Sequence, residues 1–348
     1  MTAELTTDPV GGDRAGAAPT FGRLLTVELR RLAYRRFARV LALLAVLGLA
    51  AAVFAIYARH QQTSPTDLAA ASRARDAQIA EIQQSIDECT KSLPAGADPQ
   101  QQCGFAPTAD DIPLNAFLHR RPLEPAKISD YALAIGVAVA MLGFAIGASF
   151  IGAEWSSKNL ICWLYWEPRR LRLLAAKLLA LLSVMLAVAC LAQLAWFGIA
   201  HLLLHYRGLP VSSLGPKARN FWRHILDGQL RAILLVVPTT VLGFAIANLI
   251  RHTAAAFGVG FVYFAVVESL IRAFDRDWQP YLLTTNIGAW ISNGGLTVYG
   301  RQTFDRRVNA FTPRPIHLSN AHGATVLAVY SVLILLVSLA VFRRRDVS

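Results

Sequence analysis

Few side chains in this 348-residue sequence could do chemistry, and their spacing decides what kind. His201 and His205 stand four apart, so a helix would place both rings on one face as half a metal site. Two histidines at the end of an apolar run serve far more often as polar anchors, and no metal is expected on this chain. Glu268 is the one ionisable residue well inside a long apolar run, with Gln193 and Asn248 as weaker polar interruptions of others. These three are the candidates for a path through an apolar medium, where buried ionisable groups default to a functional role. Glu268 has a second reading, in which it lies near the surface and faces Arg272 one helical turn on. Cys89 and Cys103 are either two free thiols or a disulfide, which would stabilise the short loop they close by about 3 kcal/mol. The phosphate-binding pattern G-x-x-x-x-G-K-[ST], H-E-x-x-H, G-x-S-x-G and paired glycosidase carboxylates are all missing, so no catalytic residue is assigned.

The densest polar stretch is GAEWSSKNLICWLYWEPRRLRLLAAK, Gly152 to Lys177, set between two long apolar runs. It is too short for a domain and too polar for a minimal turn. Trp155, Trp163, Tyr165 and Trp166 are suited to anchor at a membrane surface. Pro168 breaks a short helix, and Arg169, Arg170 and Arg172 follow where the next apolar run begins. Exposed charge beside aromatics suits docking of another protein.

The elements that must position these residues follow from composition. Hydrophobic residues make up 55% of the chain and charged ones 16%, well below the quarter usual in soluble domains. The apolar residues are bunched into six runs: Val40–Ala58, Tyr131–Ile151, Leu178–Leu204, Ala232–Ile250, Ala254–Ile271 and Ala324–Phe342. Each is near or above the roughly 18 residues that cross about 30 Å of hydrocarbon as a helix. The expected fold is therefore an all-α polytopic membrane protein. Residues 1–20 read as a disordered tail, and no cleavable signal is visible.

Net charge is +12, and its placement orients the chain. Six spans put both termini on one side, together with residues 152–177 and the short turn 251–253. That side holds 16 Lys and Arg in 74 residues, against 18 in 151 on the other. By the positive-inside rule both termini are cytoplasmic. The basic excess therefore expresses topology, and no nucleic-acid partner is expected.

Two further elements are expected at the surface. FGRLLTVELRRLAYRRFAR, residues 21–39, combines a Phe/Leu stripe with arginines that include Arg30, Arg31, Arg35 and Arg36. It reads as an amphipathic helix in the headgroup layer, contacting membrane lipids, or else as a plain extension of the first span. Two large segments fall outside: residues 59–130, with a helix begun by Ser64-Pro65-Thr66-Asp67, and residues 272–323, with short interfacial helices. Residues 205–231 form a smaller outer loop, and 343–348 a cytoplasmic tail. Small residues Gly136, Ala140, Gly143 and Gly147 on the second span, and Gly243 and Ala247 on the fourth, permit close helix packing. Pro238 is expected to kink the fourth span.

The order of these parts resembles the permease subunit of type-2 ABC exporters, in a branch common in actinobacteria. The resemblance runs through Gly152-Ala153-Glu154-Trp155, Ser156–Asn159, Leu160–Trp166, Glu167-Pro168-Arg169-Arg170 and Lys177. It departs at Lys158-Asn159, where Gly-Thr is usual. It implies that residues 152–177 form a cytoplasmic coupling helix contacted by a separate ATP-binding subunit, present in two copies. On that reading Glu154, Trp155, Lys158, Asn159, Trp166, Glu167, Pro168, Arg169 and Arg170 carry the coupling. The chain itself would be no enzyme and hold no cofactor, with ATP and magnesium on the partner. A second permease copy, identical or a close paralogue, and an exported amphipathic or lipid-like substrate (drug, lipid or peptide) are also implied. The Arg:Lys ratio of 29 to 5 suits a GC-rich bacterial genome, hence a bacterial plasma membrane. Two other readings stand beside this one: a non-transporting sensor or anchor with a cytoplasmic partner, and a membrane enzyme that modifies lipid.

Overall fold

A computed structural model of the chain describes residues 20–93, 98, 102–108, 111–112, 114–118, 121–159, 169–305 and 310–344. It is mostly helical. Among the described residues six helices are long and apolar enough to cross a membrane, as the six hydrophobic runs require. The chain divides into two compact units, residues 46–132 with 194–226, and residues 1–45, 133–193 and 227–348.

The amphipathic segment is helix α1, Phe21–Tyr34. It is shorter than the expected 21–39, because Arg35 is extended and ends it. Arg36 consequently belongs to the first span, α2, Arg36–Arg59. Leu24, Glu28 and Leu32, four apart, form the buried stripe of α1. Helix α3, Pro65–Lys91, starts with a capping box, in which Ser64 Oγ accepts from Asp67 N at 3.1 Å and Ser64 N donates to Asp67 Oδ2 at 3.2 Å. The hydrogen bonds from Ser64 hold the Asp67 carboxyl below its ordinary pKa. Near the far end of α3, Cys89 is disulfide-bonded to Cys103, with Cα atoms 5.8 Å apart.

The second span is α4, Pro125–Ser156, and the third is α5, Arg170–Arg207. The expected loop over 205–231 is largely helical. A 3₁₀ segment over Val211–Asn220 leads directly into the fourth span, α6, Phe221–Ile250. His201 stacks on Trp222 with ring centroids 4.0 Å apart, while His205 packs against Tyr206, so each ring has its own aromatic neighbour. The fifth span, α7, Thr253–Phe274, contains a π turn over Tyr263–Val267.

Helices α4 and α6 meet along their small residues. A Cβ on Gly143 would collide with Thr240 Oγ1, and one on Gly243 with the carbonyl of Phe144. Backbones this close gain dispersion contacts that larger residues would prevent. Phe150, Ile151, Leu173, Leu181, Val236 and Phe244 form the principal core beside this seam.

Residues 272–323 contain short helices, as expected, and also a β-hairpin that the sequence reading lacks. Helix α8, Leu283–Ile291, precedes strands β1, Leu296–Asp305, and β2, Ala310–Leu318, which pair antiparallel. The last span is α9, Asn320–Arg344.

Candidate functional site

The residues flanking the 152–177 loop converge on a buried charge cluster. Glu28 on α1, Glu154 near the end of α4 and Lys177 in the second turn of α5 are each at most 3% exposed. Lys177 Nζ lies 2.7 Å from Glu28 Oε1 and 2.8 Å from Glu154 Oε2. Arg35 Nη2 is 3.5 Å from Glu154 Oε1, and Arg31 Nη1 is 3.4 Å from Glu28 Oε1 and 3.7 Å from Glu154 Oε1. Two carboxylates thus face three cations, leaving one net positive charge. Taking such groups out of water is costly, and the arrangement holds only because each charge faces its opposite at short range.

The local sequence explains the placement. Glu28 is the only acid in the arginine-rich α1, and it stands between Leu24 and Leu32 on the buried face. Arg35, where the chain leaves α1, donates to Ser149 O at 2.9 Å and lies 4.8 Å from the Phe150 ring centroid. Gly152 packs against the start of α7, where a Cβ would come within 2.6 Å of Thr253 Oγ1 and 2.9 Å of its Cα. That close approach accounts for the glycine of Gly152-Ala153-Glu154-Trp155. Trp155 Nε1 donates to Asn248 Oδ1 at 2.9 Å, Asn248 Nδ2 donates to Ser338 Oγ at 2.9 Å, and Arg251 lies over the Trp155 ring at 4.4 Å.

These contacts redistribute the expected roles. Glu154 is buried and Trp155 is half-buried and bonded inward, so neither is a free surface group. Asn248 is committed to the same polar chain. Ser156, Ser157, Lys158, Asn159 and Arg169 are exposed, and Arg170 is half-buried. Lys158 takes a φ of 57°, the left-handed conformation in which glycine is unstrained. Trp166, Glu167 and Pro168, with Trp163 and Tyr165, lie outside the described residues. Arg30 and Arg36 are exposed and take no part in the cluster. Glu28 escaped the sequence reading, although one acid on the apolar face of a basic helix is the signal that would have found it.

Glu268 occupies a different place. It is 2% exposed and follows the π turn of α7 directly. Its Oε1 accepts from Thr284 N at 3.0 Å, and Oε2 faces Arg272 Nη2 at 3.2 Å and the Thr284 hydroxyl. Tyr263 Oη accepts from Leu283 N at 3.4 Å. Leu282, the N-cap of α8, has no side-chain acceptor, so α7 supplies one from Tyr263 and one from Glu268. The Arg272 contact expected one turn on is present. Asn248 lies near the end of α6 and Glu268 fifteen residues into α7, at opposite ends of adjacent spans. Gln193 is 2% exposed, and its backbone carbonyl accepts from Gln229 Nε2 at 3.2 Å. Asn248 and Glu268 therefore have separate local partners and do not share one site, while the Gln193 side chain lies beside Gly136.

No curated protein matches the chain. Residues 128–348 match the family DUF2705, described as protein of unknown function. The matched stretch contains Glu154, Lys177, Glu268 and the hairpin, while α1 with Glu28, Arg31 and Arg35 precedes it. As the match covers well over half of its length, the chain belongs to the DUF2705 family.

Proposed function

We propose that the chain is the transmembrane permease subunit of an ABC transporter in a bacterial plasma membrane, with both termini cytoplasmic. A separate ATP-binding subunit, in two copies, docks on the exposed part of residues 152–177, and a second permease copy completes the assembly. The cargo is an amphipathic or lipid-like molecule moved outward. The chain hydrolyses nothing; ATP and magnesium belong to the partner. α1 lies in the cytoplasmic headgroup layer.

One observation carries this reading. The loop is rooted at both ends in a single buried ion cluster, through Glu154 on one side and Lys177 on the other, and α1 is tied to it through Glu28. Force applied to the loop is then shared by α1, α4 and α5 at once, as coupling to a membrane domain requires. The left-handed Lys158 adds support, since the exporters that the sequence resembles usually place glycine there.

The test is purification of the tagged chain from native membranes in mild detergent, followed by mass spectrometry and an ATPase assay. An ATP-binding-cassette subunit should co-purify, and the pair Arg169→Glu and Arg170→Glu should abolish its recovery while insertion persists. A correctly inserted protein that brings no ATPase would overturn the reading in favour of a sensor or a lipid-modifying enzyme.

A further inference from the structure

The hairpin between the fifth and sixth spans has a surface that the permease reading leaves unused. Its register runs Tyr299↔Pro315 and then Gln302↔Pro313, so Gly300 and Arg301 together oppose Arg314 in a bulge. That bulge is clamped to the 3₁₀ segment Arg276–Tyr281 just after α7. Arg301 N donates to Asp277 Oδ1 at 3.0 Å, and Arg301 Nη2 donates to Asp275 Oδ2 at 2.9 Å. A Cβ on Gly300 would come within 2.6 Å of Asp277 Oδ1, so a larger residue would push that carboxylate off the Arg301 N–H.

Beyond the clamp the ribbon is open. Phe304 and Phe311 are register partners with ring centroids 5.4 Å apart, yet they are 51% and 69% exposed. Paired aromatics left this bare on a short ribbon mark an interaction surface. The clamp ties the base of the ribbon to the end of α7. Phe274, Trp278 and Tyr281, around the end of α7, are also strongly exposed, and aromatics at the end of an apolar span sit at the level of the lipid headgroups. Arg276, between Phe274 and Trp278 in the chain, and Arg314, opposite the bulge, are exposed, whereas Arg272 is paired with Glu268 and Arg301 with Asp275. Arginine matches phosphate oxygens geometrically as well as in charge.

We propose that the ribbon surface at Phe304 and Phe311, with Arg276 and Arg314, binds anionic phospholipid. The Phe304–Phe311 pair enters the boundary between headgroups and acyl chains, while Arg276 and Arg314 meet the phosphates. This holds on whichever side of the membrane the hairpin lies, and it stands apart from the proposed transport role.

The test uses the full chain with Cys162→Ser and Cys190→Ser, carrying a bimane on Gln302→Cys, on the same face of the ribbon as the phenylalanines. It is placed in nanodiscs of phosphatidylcholine with or without phosphatidylglycerol. A headgroup-spin-labelled lipid should quench the bimane, and quenching by neutral acrylamide should fall about fivefold when phosphatidylglycerol is present. Phe304→Ser with Phe311→Ser should remove the spin-label quenching, and Arg314→Glu should remove the dependence on anionic lipid. Both variants should elute like the parent. Equal acrylamide access in detergent and in both nanodiscs would refute the proposal. So would shielding found only in native membranes, which would assign the surface to a protein partner.

Discussion

A lysine ammonium with no exposed surface must find its counter-charge inside the protein, and Lys177 finds it in Glu28 and Glu154. The favourable term is Coulombic and the opposing one is lost hydration, so the pair matters most when it is broken. Lys177→Met should destabilise the protein by about 3–5 kcal/mol, because two buried carboxylates then face each other with less compensation. Adding Glu28→Gln to Lys177→Met should recover part of that loss. Thermal unfolding followed by size-exclusion elution in detergent checks both; a double variant no better than the single would show that the cluster is not a coupled unit. Sequence reasoning reached Glu154 and Lys177 through the loop they flank. It could not pair them with Glu28, 149 residues before Lys177, because that partnership is made only by the packing of α1.

Helix α8 shows how an element can be specified by its neighbours. Nine residues form a weak helix on their own, since nucleation is costly and few bonds repay it. Its N-terminal N–H groups are met by Tyr263 and Glu268, and Asn320 Nδ2 donates to Ala289 O at 2.8 Å, Trp290 O at 3.0 Å and Ser292 O at 2.7 Å at its other end. Glu268→Ala should therefore fray α8, raising hydrogen exchange in Leu283–Ile291 by about fivefold, as loss of a cap worth about 1 kcal/mol would predict. Glu268→Gln, which keeps an acceptor for Thr284 N, should restore most of the protection. Unchanged exchange in both would return Glu268 to the candidates for a transport path. The hairpin beside α8 was illegible in the sequence for a related reason. Pro313 and Pro315 lack the N–H that a strand ladder uses and so conceal β2, yet an isolated two-stranded ribbon leaves its outer edge unpaired and tolerates such residues.

Over the whole molecule, the spans were the legible part. Length and apolarity alone define a membrane helix, whatever it packs against, so the six runs became six helices, with the end at Ile250 unmoved and the others moved outward by up to about a dozen residues. Side-to-side orientation is a separate matter, decided by charge. If both termini are cytoplasmic, Cys89 and Cys103 face outward. In intact cells they should resist an impermeant maleimide, then label after an impermeant reductant is added. Labelling before reduction would contradict the disulfide, and no labelling after it would contradict the orientation.

The seam between α4 and α6 has a mechanical consequence. Gly136 abuts Ala232, Gly143 abuts Thr240, and Phe144 abuts Gly243, so the two backbones touch at several levels along about 17 Å of helix. Two rods fastened at several points bend as one beam, far stiffer than either alone, and they cannot shear past each other without lifting apart. A tilt imposed near Glu154 would then reach the level of Gly136 with its angle preserved instead of dying away in local flexure.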